Sequence, residues 1–122
     1  MLSVKYDKLV RDKIPEIIKR KGGKVKFHVA DNYKFWRKLK EKLGEELKEL
    51  AEVTEEFIDT EEGEEKLIEE TADFLEVLDA VLKYRGGRKP LSKSQIRRVL
   101  SAKRKKAQER GQFKKRIILE ES

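Results

Sequence analysis

Several residue types are absent from this chain or rare in it, and each shortage excludes a class of protein. The 122-residue sequence contains no cysteine, which excludes a disulfide framework and a thiolate metal site. It contains a single histidine, and one histidine without partners makes no metal site. No apolar run is long enough for a signal peptide or a membrane span, so we expect a cytoplasmic protein with no membrane partner.

Charge, by contrast, is abundant and unevenly distributed. Charged residues make up 45% of the chain and asparagine occurs once, a composition that suits a heat-adapted source. The formal net charge is +7, but residues 41–79 hold 17 Asp or Glu against three Lys. An acidic centre with basic flanks suits a metal ion plus a phosphorylated ligand better than nucleic acid alone. Solvated helix faces of opposite sign would give the same distribution.

The hydrophobic pattern predicts an all-α fold in a single domain, residues 1–122. Apolar positions recur every three or four residues over two long stretches, as on helices with one buried face. The apolar stripe of the first stretch includes Leu39, Leu43 and Leu47. The short turn between these stretches makes the two helices antiparallel neighbours. A shorter helix is expected on either side of this pair. The predicted helices cover residues of about 12–22, 31–58, 60–84 and 92–110.

Helix boundaries are predicted from capping residues. Asp12 and Asp31 are the expected N-caps of the first two helices. Ser92 and Gln95 have the spacing of a capping box, and Gly111 is a helix stop.

Two short segments predict a minor β structure. Residues near 24–30 alternate between apolar and polar types, which is typical of a half-buried strand. The comparable stretch lies near residues 115–120, so we expect these two segments to pair as a two-stranded ribbon.

Four carboxylates stand at matching three-residue steps on the two long predicted helices. They are Glu46 and Glu49 on the first helix, and Glu70 and Asp73 on the second. At 100° per residue, each pair falls at the edge of its apolar stripe, with Glu70 inside it. A carboxylate near a packed interface must be protonated, paired or metal-bound. Hard oxygen ligands suit Mg²⁺ or Mn²⁺, although a Glu-rich helix places some acids near its stripe in any case.

These acids lie in a recognisable pattern. The segments "EELKE" and "ETAD", separated by 20 residues between Glu49 and Glu70, read E-E-x-x-E … E-x-x-D. This pattern resembles the all-α nucleoside triphosphate pyrophosphatases, a superfamily that includes MazG, the dimeric dUTPases and phosphoribosyl-ATP pyrophosphohydrolase. The end segments "YDKLVRDKIPEII" and "KAQERGQFKKRIIL" are similar to those of a MazG-like house-cleaning subgroup. The resemblance covers nearly the whole chain. It departs at Gln112, where a second glycine often stands.

The resemblance implies a MazG-like helical bundle and a magnesium-dependent enzyme. Glu46, Glu49, Glu70 and Asp73 would bind Mg²⁺, with Mn²⁺ as the alternative. The reaction implied is attack of water at the α-phosphorus of a nucleoside triphosphate, which gives a monophosphate and pyrophosphate. Glu45, the first acid of the motif, is either a surface residue or the general base, and Glu49 can equally position the water. A helical pair this open implies a homodimer or a homotetramer.

Basic residues near both ends are candidate ligands for the substrate phosphates, because Arg and Lys make strong charge-assisted contacts to phosphate oxygens. Each of them is also compatible with an ordinary solvated helix face. Tyr33 is a candidate for stacking on the base, whereas Phe35 and Trp36 are expected in the core. The candidate phosphate ligands are Lys8, Arg11, Lys13, Lys103, Lys106, Arg110 and Arg116.

Two alternative functions stay open at this point. One is phosphoribosyl-ATP hydrolysis in histidine biosynthesis, which uses the same metal site and a different pocket. The other is a non-enzymatic basic protein that binds nucleic acid or a partner helix, with acids that serve only structure. This last alternative predicts binding that falls steeply with salt and no role for magnesium.

Overall fold

The computed structural model of the chain describes residues 6–56 and 59–122. Within these ranges the regular structure consists of four α-helices and a short 3-10 turn, so the predicted all-α class is confirmed. Their bounds are Ile14–Arg20 (α1), Asn32–Glu56 (α2), Glu61–Tyr84 (α3), the 3-10 turn Arg85–Gly87, and Lys93–Arg110 (α4). The predicted end of the first long helix at Ile58 lies outside the described residues.

Side-chain caps fix the starts of the two long helices. The Asp31 carboxylate accepts a hydrogen bond from the backbone N–H of Lys34 at 2.7 Å, which confirms the predicted cap of α2. The Thr60 hydroxyl accepts from the backbone N–H of Gly63 at 2.9 Å and caps α3. Each cap satisfies a donor that the first helical turn leaves unpaired.

The capping prediction is right for α4 and wrong for α1. Ser92 Oγ accepts from the backbone N–H of Gln95 at 3.1 Å, and the Gln95 side chain accepts from the backbone N–H of Ser92 at 2.8 Å. Gly111, with φ of +82°, ends α4. At α1 the N-cap position is Lys13, with no side-chain cap hydrogen bond. The helix begins one residue later than a cap at Asp12 requires.

Helices α2 and α3 are antiparallel neighbours. An aromatic cluster joins the start of α2 to the end of α3: the Phe35 and Tyr84 ring centroids are 4.8 Å apart, and those of Trp36 and Tyr84 are 5.7 Å apart. The Tyr84 hydroxyl donates to the backbone carbonyl of Asn32 at 2.9 Å. Phe35 and Trp36 pack against Tyr84 but are half-buried, whereas the sequence pattern predicts them in the core.

The predicted β ribbon is wrong for the described residues. Neither segment 24–30 nor segment 115–120 forms a strand. Their apolar side chains lie in solvent, with Phe27 63%, Val29 90% and Ile118 82% exposed. A strand needs a backbone partner to satisfy its N–H and C=O groups, and a two-stranded ribbon is marginal even when paired. The alternation of apolar and polar residues was therefore not sufficient to form a strand.

Two compact units make up the chain, one that ends at Lys89 and one that begins at Pro90. The first contains α1, α2 and α3, and the second contains α4. The prediction of a single domain over residues 1–122 stays a prediction. Among the described residues, no helix has the length and apolarity needed to cross a membrane.

Candidate metal centre

Glu46 is buried in the seam where α2 packs on α3. Leu39, Glu46 and Val53 are seven residues apart, which is close to two helical turns, so they share one face. Their residue exposures are 2%, 7% and 6%, respectively. The sequence placed Glu46 at the edge of a stripe that included Leu47, but Leu47 is 55% exposed. The buried face is thus centred on the acid.

A second acid occupies the corresponding position on α3. Gly63, Glu70 and Val77 are also seven residues apart; Gly63 and Val77 are buried, and Glu70 is half-buried. Glycine at 63 and valine at 77 therefore flank the acid along the same helix face. The seam carries a carboxylate from each helix at mid-length, where an apolar pair would be expected.

The carboxylates of Glu46, Glu49 and Glu70 form a cluster, with one oxygen of each within 4.8 Å of the others. Glu46 Oε2 and Glu70 Oε2 are buried and have no hydrogen-bond partner among the described residues. Buried polar atoms are normally paired, so these two oxygens require a missing partner. Oxygens on opposite sides of a bound Mg²⁺ or Ca²⁺ are about 4 to 5 Å apart, which suits this spacing. The three glutamates could therefore hold a metal ion.

Electrostatics within the cluster oppose its full ionisation. Desolvation raises the pKa of Glu49, and the neighbouring Glu70 carboxyl raises it further. Glu45 acts in the same direction and Lys42 in the opposite one. Lys42 Nζ lies 3.5 Å from Glu46 Oε1. A divalent cation would relieve the same repulsion that now favours the protonated form of Glu49.

Asp73, the fourth predicted ligand, does not join the cluster of three glutamates. Its Oδ1 accepts a hydrogen bond from Arg11 Nη2 at 2.8 Å. Arg11 was predicted as a phosphate ligand, and the structure instead pairs these two predicted site residues with each other. Nothing in the sequence pattern indicates this contact, because 62 positions separate the partners.

The N-terminal segment lies against α2 through a further pair of contacts that sequence reasoning missed. Asp7 Oδ1 is 2.9 Å from Lys34 Nζ, and Asp7 Oδ2 is 3.3 Å from Lys38 Nζ. The Lys38 ammonium also donates to the backbone carbonyl of Asp7 at 2.6 Å. The hydrogen bond from Lys34, followed by that from Lys38, holds the pKa of Asp7 below its usual range.

These contacts bring Lys8 close to Glu45. A small groove between the N-terminal segment and α2 is lined by Lys8, Leu9, Lys38, Glu41, Lys42 and Glu45. Glu45 is exposed beside the cluster and not within it. It therefore lies next to positive charge, on the side of α2 that the N-terminal segment covers.

The remaining predicted site residues lie elsewhere. Lys13 is the exposed N-cap residue of α1, and Tyr33 is 80% exposed at the start of α2. The other four basic candidates belong to the second unit, and their role as phosphate ligands stays a prediction. All four are exposed: Lys103, Lys106 and Arg110 on α4, and Arg116 beyond it.

Comparison with known proteins adds no relative: no family model, curated protein or solved structure matches this chain.

Proposed function

We propose that this chain is a magnesium-dependent nucleoside triphosphate pyrophosphohydrolase of the MazG-like class. It would hydrolyse the bond between the α- and β-phosphates and thereby clear non-canonical or surplus nucleotides. The observation that carries the proposal is the cluster of Glu46, Glu49 and Glu70, with two buried carboxylate oxygens that lack partners. The E-E-x-x-E … E-x-x-D pattern and the two end segments support the same class.

The three glutamates would hold Mg²⁺, or Mn²⁺ in its place, and Asp73 would be the fourth ligand. Bound metal would neutralise charge on the phosphates and acidify the attacking water. Glu49 or Glu45 would position that water. Glu45 is supported by its exposed place beside the cluster, and Glu49 by a pKa that desolvation raises above its ordinary value.

Cationic side chains of the N-terminal segment would bind the triphosphate. Lys8 lies in the groove beside Glu45, and Arg11 is within contact of Asp73. Lys13 would extend this set. In the second unit, the candidate phosphate ligands are Lys103, Lys106, Arg110 and Arg116. Phosphate oxygens favour Arg and Lys because each contact is charge-assisted. Tyr33, exposed at the start of α2, would stack on the base.

The assay that tests this proposal measures pyrophosphate and orthophosphate release from a panel of nucleoside triphosphates and from phosphoribosyl-ATP. Each reaction is run with Mg²⁺, with EDTA and with Glu46→Gln. Pyrophosphate release that disappears in both controls would support the proposal and rank the substrates. Turnover of phosphoribosyl-ATP alone would favour the enzyme of histidine biosynthesis. The absence of turnover and of metal binding would refute a pyrophosphohydrolase.

One observation favours a second candidate, a basic protein that binds nucleic acid. Helix α4 carries eight Lys or Arg and one Glu over its 18 residues, and no residue in it is buried. A duplex would be bound through its phosphates, with an affinity that falls steeply as salt rises. Binding of that kind, unaffected by EDTA and by Glu46→Gln, would support this candidate over the hydrolase.

We further propose that the chain works as a homodimer or homotetramer. Ile68, Leu75 and Leu82 are seven residues apart on α3 and are 55%, 56% and 36% exposed. They lie on the side of α3 away from Glu70, and a repeat of seven is what two packed helices use. A second copy presents the same stripe, so a two-fold axis would cover both at once.

A further inference from the structure

Arg11 and Asp73 form an ion pair whose two members were each predicted to bind something else. The Nη2 to Oδ1 distance is 2.8 Å, and the side chains are 56% and 45% exposed. A guanidinium has five N–H donors, and this contact uses one of them. The Arg11 side chain makes no other hydrogen bond or ion pair within residues 6–56 and 59–122. The group therefore keeps donors for a second anion.

Asp73 differs from Glu70, one turn away, in having a cationic partner. Asp73 follows Glu70 by three residues, yet its carboxylate is neutralised by Arg11. Glu70 Oε2 and Glu46 Oε2, in contrast, are buried without a partner. The demand for a cation is thus concentrated on the glutamates, and Asp73 Oδ1, the oxygen that Arg11 contacts, is available to a metal only after that contact is released.

The backbone of Arg11 is held on both sides. Its carbonyl accepts a hydrogen bond from the N–H of Ile14 at 3.1 Å, at the entrance to α1. Four residues earlier, Asp7 is fixed by Lys34 and Lys38. An exchange of partners at Arg11 therefore needs a side-chain rotation and no displacement of the segment.

We propose that Arg11 is a positioning residue that exchanges Asp73 for a phosphate group. Without metal, its guanidinium holds Asp73 away from the three glutamates. With metal and triphosphate both present, Asp73 would join the three glutamates as a metal ligand, and the Arg11 guanidinium would bind the triphosphate. This inference rests on the proposed function, because it requires a metal at the cluster.

Such an exchange couples the two ligands. Arg11 competes with metal when metal binds alone, and it assists phosphate once Asp73 has left it. Metal that draws Asp73 away from Arg11 would therefore strengthen phosphate binding. By thermodynamic reciprocity, phosphate would strengthen metal binding by the same factor. The substitution Arg11→Gln consequently has effects of opposite sign on the two ligands, whereas damage to the fold would weaken both.

The test measures two affinities by calorimetry on the full chain. The first is for Mn²⁺ alone, and the second is for hydrolysis-resistant imidotriphosphate at saturating Mn²⁺. Wild type is compared with Arg11→Gln, Asp73→Asn, the double variant, and Arg20→Gln, which removes the same charge from an exposed site on α1. The melting curve of each variant checks that it is folded.

We expect Arg11→Gln to bind Mn²⁺ about two- to fivefold more tightly, the range of a partly exposed ion pair. The same variant should bind imidotriphosphate about tenfold more weakly or worse, and Arg20→Gln should change neither affinity. In the Asp73→Asn background, Arg11→Gln should no longer affect Mn²⁺ binding. Persistence of the Mn²⁺ effect in that background would overturn the exchange, because Arg11 would then act only as a distant charge.

Failure of this inference is distinguishable from failure of the proposed function. If wild type binds Mn²⁺, Glu46→Gln does not, and Arg11→Gln behaves as wild type, the exchange alone is wrong. If wild type binds no Mn²⁺, the metal centre and the exchange are both wrong.

Discussion

A buried carboxylate oxygen without a partner is costly to a folded protein, and Glu46 Oε2 on α2 is such an atom. The residue is 7% exposed, and its Oε2 atom has no hydrogen-bond partner among the described residues. Buried charges are tolerated in an apolar interface when they are paired or coordinate a metal. Under the proposed function, this position lowers the stability of the metal-free chain and provides a metal ligand, a combination that is common at functional sites.

Glu46→Gln should stabilise the metal-free protein and abolish its response to metal. In EDTA, removal of a buried charge from a crowded group of acids should raise the free energy of unfolding by about 1 kcal/mol, even though the 3.5 Å contact with Lys42 is weakened. In Mg²⁺, wild type should gain stability as the ion binds, and the variant should not. Thermal melts with and without Mg²⁺ measure both effects. Glu69→Gln, an exposed acid on α3, is the control; an equal response to Mg²⁺ in wild type and Glu46→Gln would contradict the site.

Glu49 should give the metal-free protein a stability that falls as pH rises. Because desolvation and Glu70 raise its pKa above the ordinary 4.5, the folded state holds the proton more tightly than the unfolded state. That contribution is complete below pH 4.5 and is lost as pH rises through the raised value.

Denaturant unfolding at a series of pH values in EDTA, for wild type and Glu49→Gln, isolates this contribution. The difference between the two proteins should change between pH 4.5 and the raised pKa, with wild type losing stability relative to the variant. Asp7, whose pKa is lowered from 3.8, loses its stabilising contribution only as pH falls below that value, and it does so equally in both proteins. A pH-independent difference would mean that the Glu49 carboxyl is not perturbed.

How far the site was predictable differs among its residues. Glu46, Glu49 and Glu70 follow from helical periodicity, because residues three or four positions apart share a face and a short connection brings two faces together. The ion pair of Arg11 with Asp73 has no such local signal. Contacts between a non-helical segment and a helix depend on the tertiary path of the chain, which periodicity does not encode. The same holds for Asp7 with its two lysines.

At the scale of the helices, caps were more informative than apolar alternation. The caps Asp31 and Ser92 act within three residues, so local sequence determines them. The segment at residues 24–30 alternates correctly and still forms no strand, because a strand depends on a partner elsewhere in the chain. The stripe on α2 was placed slightly off its true centre, since an acid in the seam was read as an edge residue.

That shift in the α2 face is testable with a matched pair of truncations. Leu39 is 2% exposed and Leu47 is 55% exposed, although both belong to the stripe expected from sequence. Leu39→Ala should lower the free energy of unfolding by about 2 to 5 kcal/mol, through lost burial and the cavity it leaves. Leu47→Ala should cost well under half as much in the monomer. Urea denaturation of both variants at low protein concentration measures these losses. Equal losses in the free energy of unfolding would mean that the buried face of α2 is centred where the sequence pattern predicts.

For the molecule as a whole, the exposed apolar side chains bear on assembly as much as the buried ones bear on the core. Only Leu39, Val53 and Val77 are buried hydrophobic residues among those the structure describes. A helical pair with so small a core usually needs further helices to close it. In the proposed homo-oligomer, the stripe of Ile68, Leu75 and Leu82 on α3 would be the surface that a second copy covers.

Leu75→Lys should therefore dissociate the assembly. A lysine ammonium at the centre of a covered stripe would have to be desolvated without a partner, so the dissociation constant should rise at least tenfold. Glu76→Gln changes the charge by the same single unit at the exposed neighbouring position and should leave assembly intact. Light scattering over a range of protein concentrations gives both results. If wild type is a monomer with full pyrophosphohydrolase activity, the stripe has no partner copy in catalysis; if both variants dissociate equally, charge and not the α3 stripe governs assembly.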